Sequence, residues 1–172
     1  ALADFMTIKE EFGCIQNTVL AYIGDGNNVA HSLILAGSIL GCEVRISCPK
    51  GYEPDSMIIE KANQIGSSNF DLKINNDPLA SVHKANVIYT DVWASMGEET
   101  KKDDKEKDFV GYTVDEQLLS YADNDAIVLH CLPAYRGKEI TDKVIESEQS
   151  RVFEQAENRM HIQQALLSCL LV

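Results

Sequence analysis

The stretch Ala126-Ile127-Val128-Leu129-His130-Cys131-Leu132-Pro133 decides how this chain is read. Its first four residues are apolar without alternation, the pattern of a strand buried on both faces of a parallel sheet. The turn that follows starts at the strand's C-terminal end, where open α/β sheets place their ligands. It brings together an imidazole, a thiol and a proline-stiffened backbone. A His-Cys pair at a strand end can equally be structural, so the rest of the chain must be weighed with it.

Outward from this strand, apolar β-rich runs alternate with helical ones. Strands are predicted over 18–23, 43–47, 70–74, 86–90 and 126–129. Helices are predicted over 27–40, 56–65, 78–85 and 114–121, with a short one opened by Thr141-Asp142 and a long one from 153 to the end. Gly41 and Gly66 stop two of them, and Asp77-Pro78 places an N-cap acid before a proline at the first helical position. The alternation predicts the α/β class: a three-layer α/β/α, doubly wound parallel sheet, Rossmann-like, in a single domain. Right-handed crossovers put every strand's C-terminal end on one side. Three loops meet there, 24–28, 91–97 and 130–137. Residues 98–108 are charged except at Thr100, which predicts a solvated loop. A mobile lid beside the site would have the same composition.

Composition narrows the function classes. With 172 residues, 45% hydrophobic and 24% charged, the chain can bury an ordinary globular core. A net charge of −12 argues against a nucleic-acid or anionic-membrane surface. No run is long and apolar enough to span a bilayer, so the expected location is cytoplasmic. Cys14, Cys42, Cys48, Cys131 and Cys169 form no CxxC pair, and His31, His83, His130 and His161 are scattered, so no metal is expected. The chain starts at Ala1 inside what reads as a helix, with Leu2, Phe5, Met6 and Phe12 near one face. That is expected of the interior of a longer protein. From Ala165 to Val172 only Ser168 is polar. Leu2, Phe5 and part of the 166–171 face are therefore expected to be exposed or covered by a neighbouring chain.

The loops carry distinct chemistry. Gly24-Asp25-Gly26-Asn27-Asn28 joins the first strand to a helix start, which offers free N–H groups. It fits a dinucleotide fingerprint poorly: Val29 stands at the third glycine position, and no acid ends the second strand. Asn27 and Asn28 could cap the helix or hold a small polar ligand. In Asp91-Val92-Trp93-Ala94-Ser95-Met96-Gly97, Asp91 is placed to meet a cation, Ser95 offers a hydroxyl and Met96 a backbone N–H. Trp93 reads as a core residue. His130 could donate to a carbonyl oxygen that gains charge. Cys131, as thiolate, could attract or deprotonate an amine. Arg159, in Glu157-Asn158-Arg159, could grip a phosphate or pair with Glu154 or Glu157.

Taken in order, Gly-Asp-Gly-Asn-Asn, Asp-Val-Trp-Ala-Ser-Met-Gly, His-Cys-Leu-Pro and Glu-Asn-Arg resemble the ornithine carbamoyltransferase family. The resemblance covers all of 1–172 but only the second half of the family's subunit, the ornithine-binding domain. It implies transfer of the carbamoyl group of carbamoyl phosphate to the δ-amine of ornithine, giving citrulline and phosphate, as in arginine biosynthesis. Catalysis falls to Cys131, His130 and Asp91. Ornithine falls to Asn28, Asp91, Ser95 and Met96, and the carbamoyl phosphate end to His130, Cys131, Leu132 and Arg159. No cofactor is implied. The implied partners are the two substrates, a carbamoyl phosphate domain, and other subunits in a homotrimer or a multiple of trimers. The family's Ser-x-Arg-Thr phosphate loop and His-Pro-x-Gln segment do not occur here, so the chain alone is expected to be inactive. A non-catalytic amino-acid-binding or regulatory module, or a carbamoyltransferase for another amine, would share these residues.

Overall fold

The structure is a computed structural model that describes residues 1–94 and 102–171. The elements run α1 (Leu2–Phe12), β1 (Val19–Ile23), α2 (Asn28–Leu40), β2 (Glu43–Ser47), α3 (Ser56–Ile65), β3 (Asp71–Asn75), α4 (Pro78–Val82), β4 (Val87–Thr90), α5 (Lys102–Asp108), α6 (Glu116–Leu119), β5 (Ile127–His130), α7 (Asp142–Ile145) and α8 (Val152–Leu170). All strand pairings are parallel, in the order β3-β2-β1-β4-β5. The predicted doubly wound sheet is what forms.

Strand residues divide by parity, because successive side chains leave a strand on opposite faces. Leu20, Tyr22, Tyr89 and Leu129 pack with Phe5, Leu33 and Ile34 on one face. Ala21, Ile23, Ile88 and Val128 pack with Val82, Leu118 and Val144 on the other. Helix α1 lies along α8, joined by Thr7 with Asn158 and Glu11 with Arg151. Side chains cap helix starts: Asn27 for α2, Asp55 for α3, Asp77 for α4 and Thr141 for α7. Among the described residues no helix is long and apolar enough to cross a membrane.

Three expectations change. Phe5 is 3% exposed, not open to a neighbour. Its ring reaches α2 beside Gly37, in the core cluster that holds Leu33 and Ile34. Within 98–108, residues 102–108 are helical rather than a loop. Lys105 on that helix bonds Asp25 at 2.8 Å, and Phe109 just after it is fully buried against Trp93. His130 closes β5 rather than following it, and pairs in register with Thr90.

Candidate active site

Strand pairing sets the frame. Ile23, Thr90 and His130 lie in register across β1, β4 and β5. Gly24, Asp91 and Cys131 are thus the next residues out on three adjacent strands. The winding reverses between β1 and β4, where open sheets leave a crevice. A cavity of about 480 Å³ opens at this end, lined by Asn28 of α2, Tyr89 of β4, His130 and Cys131, and Gln155 and Arg159 of α8.

Asp91 is 6% exposed, and its Oδ1 accepts the Cys131 thiol at 2.9 Å and the Val92 amide at 2.7 Å. Burial, then the Asp91 carboxylate, push the Cys131 thiol far up from its ordinary value. The residue is a thiol donor, not the thiolate that the sequence allowed. Asp91 keeps Oδ2 for a further donor, so a cationic or neutral amine would find carboxylate and sulfur side by side.

His130 is buried, and both its ring nitrogens are used inside the protein. Nδ1 accepts the Leu132 amide at 2.9 Å, and Nε2 lies 3.3 Å from a Glu139 carboxylate oxygen. An imidazole that accepts at Nδ1 carries its proton on Nε2, an assignment made from the hydrogen-bond network. The ring therefore holds the turn instead of offering a donor to a ligand. Leu132 sits at φ +52°, in the left-handed region. The backbone N–H of His130 faces outward, since β5 is an edge strand, and donates to Gln155 Oε1 at 2.9 Å. Gln155 Nε2 in turn donates to Asp4 Oδ1 at 2.8 Å and to the Tyr89 hydroxyl at 3.2 Å.

At the α2 side, Asn27 is the cap: its side chain accepts the Val29 amide at 2.9 Å. Asn28, the first helical residue, lines the cavity. Gly26 serves packing, because a Cβ there would lie 2.5 Å from the backbone of Tyr52 and Pro54. Arg159 is exposed on the cavity wall. No ion pair holds it among the described residues, and Glu157 instead lies 3.5 Å from His161. Ser95 and Met96 fall outside the described residues.

Ligand atoms of Asp91, His130 and Cys131 lie within 4.8 Å of one another, although the sequence scatters them. The Cys131 thiol and both His130 nitrogens already make hydrogen bonds, so a cation there would have to displace them. Sequence reasoning also missed Tyr89, Glu139 and Gln155. Only Gln155 carries a signal, since Val152, Gln155 and Asn158 recur every three residues and are all buried in α8.

Residues 16–170 match the family described as Aspartate/ornithine carbamoyltransferase, Asp/Orn binding domain. An ornithine carbamoyltransferase of Prochlorococcus marinus subsp. pastoris is 65% identical over 171 residues, 99% of this chain and 56% of its own. The ornithine carbamoyltransferase structure from Pyrococcus furiosus superposes with a TM-score of 0.92 at 48% identity, over 97% of this chain and 54% of that one. An anabolic ornithine carbamoyltransferase from Campylobacter jejuni gives 0.92 at 40% identity, over 98% and 56%. The chain spans about half the length of the relatives it matches. With this sheet, this crevice and these matches, the chain belongs to the aspartate/ornithine carbamoyltransferase Asp/Orn binding domain family.

Proposed function

We propose that this chain is the ornithine-binding half of a two-domain enzyme that carbamoylates the δ-amine of ornithine with carbamoyl phosphate, giving citrulline and phosphate. The observation that carries this reading is the Cys131–Asp91 pair at the sheet's C-terminal end, beside a cavity that Cys131, Asn28 and Arg159 line. Carboxylate, thiol and amide suit an amino acid with two amines. The Arg159 guanidinium suits a phosphate. In the reaction the neutral δ-amine attacks the carbonyl carbon, the C–O bond to phosphate breaks, and the amine proton passes to the departing phosphate.

Asp91, with Ser95 and Met96, takes the α-amino group, and Asn28 the carboxylate end. Cys131 and the Leu132 carbonyl face the δ-amine, and His130 fixes the turn that presents them. Arg159 takes the carbamoyl phosphate end. Positioning supplies much of the rate in such a transfer, so the reading includes a first domain that brings the remaining phosphate contacts. A cytoplasmic location, a homotrimer or multiple of trimers, and action without metal or organic cofactor belong to the same reading. Calorimetric titration of the full-length protein with ornithine, norvaline, putrescine and NAD, alongside a citrulline assay, tests it. Ornithine and norvaline should bind and citrulline should form. Binding of putrescine or NAD alone, with no citrulline, would overturn the reading in favour of another amine or a dinucleotide.

A further inference from the structure

Glu139 is 1% exposed, yet it is a carboxylate with no lysine or arginine partner among the described residues. Its neighbours' charges go elsewhere: Lys138 pairs with Glu106, and Arg136 with Asp142 and Glu146. Burying an anion without a cation is costly unless N–H groups compensate it. Two do so here. The Tyr135 amide donates to Glu139 Oε1 at 2.5 Å, and His130 Nε2 stands 3.3 Å from the same oxygen.

The consequence runs along one chain of bonds. A carboxylate facing Nε2 holds the ring proton there and leaves Nδ1 bare. A bare Nδ1 accepts the Leu132 amide at 2.9 Å. That bond holds Leu132 at φ +52°, where a leucine does not settle unaided. The Tyr135 amide, three residues on, is held by the same carboxylate. Both ends of the segment 132–135 therefore depend on one buried side chain, nine residues after His130. Resting on the carbamoyl-transfer reading above, we propose that Glu139 is a positioning residue that fixes the His130 tautomer and, through it, the Cys131-Leu132 turn that meets the attacking amine.

The test uses the full-length enzyme with Glu139→Gln and Glu139→Leu, read by imidazole nitrogen NMR and by steady-state kinetics with ornithine. The wild-type His130 ring should be the neutral tautomer protonated at Nε2. Glu139→Gln keeps an oxygen that accepts both N–H groups, so it should keep this tautomer and most of the turnover. Glu139→Leu should lose the single tautomer and about ten- to a hundredfold in kcat/KM for ornithine. The loss should fall on kcat and on the KM for ornithine more than on the KM for carbamoyl phosphate.

A wild-type ring protonated at Nδ1 overturns the proposal, even if Glu139→Leu fails to fold. So does a folded Glu139→Leu enzyme with an unchanged ring or unchanged ornithine kinetics, or a Glu139→Gln enzyme as impaired as the leucine variant. A wild-type enzyme that forms no citrulline would overturn the functional reading instead, while the tautomer would still stand or fall on its own spectrum.

Discussion

At the scale of single residues, the Asp91–Cys131 contact joins positions forty apart in sequence. The carboxylate stabilises the thiol form and so suppresses the nucleophile that an alkylating reagent needs. Peptide mapping after iodoacetamide should show Cys14 and Cys169, both exposed, modified well before Cys131. Asp91→Asn should speed Cys131 modification several-fold; unchanged reactivity would mean that burial alone sets it. Cys42 and Cys48 make a second case, since burial pushes both up from 9.0 to about 12. A folded value above the unfolded one contributes stability that is whole below pH 9.0 and is lost as pH rises toward about 12. Each thiol should steepen the fall by about 1.4 kcal/mol per pH unit. Urea unfolding should approach that slope only above about pH 9.5, once the unfolded thiols are mostly ionised, and Cys42→Ala should flatten it relative to the parent, after allowing for its lower overall stability. The residue types at the site were legible because strand ends, glycines and polar turns announce themselves. The partners of His130 were not: Glu139 stands among charged residues, and nothing local marks one of them as buried.

At the scale of elements, caps and glycine stops fixed most boundaries to within a residue or two, because both act within a single turn. Helix α4 ends at Val82 instead of 85, and α6 shrinks to Glu116–Leu119. Helix α5 was misread for a different reason. Its charge pattern predicts solvation, but composition cannot register that Lys105 reaches Asp25, or that buried Phe109 follows at once. Lys105→Met should raise hydrogen exchange across α5 without touching the strands; equal protection in both proteins would show that Phe109 alone holds the helix. Gly26 is legible as a turn residue, but its tight approach to the 52–54 backbone is not. Gly26→Ala should cost about 1–3 kcal/mol in urea unfolding, because the atoms it meets are backbone and cannot swing aside.

At the scale of the whole molecule, the layered fold follows from strand and helix alternation, and the sequence pattern carried it almost entirely. The outer face of α8 follows too. Leu166, Leu167, Leu170 and Leu171 are 44%, 56%, 70% and 81% exposed, and Leu2 beside them is 54%. A contiguous apolar face of this kind promotes association. Sedimentation of the 172-residue chain should show self-association that weakens when Leu170 and Leu171 become polar. A monomer at all concentrations would show that the face tolerates water. Phe5 escaped this reading because the core it joins, with Leu33 and Ile34 of α2, is far away in sequence.

The union of α1 with α8 also sets an order of events during synthesis. Asp4 meets Gln155, and Thr7 meets Asn158, each across 151 residues. Closing so long a loop comes late, after the more local strand crossovers have formed. A nascent chain can therefore pair its five strands while α8 is still inside the ribosome, with the outward amide of His130 not yet covered by Gln155. The cavity is walled by α1 and α8 together, so it is finished only once α8 has emerged. Capacity to hold a ligand is thus withheld until α8 has docked on α1, and a chain truncated before α8 keeps a sheet but no binding cavity.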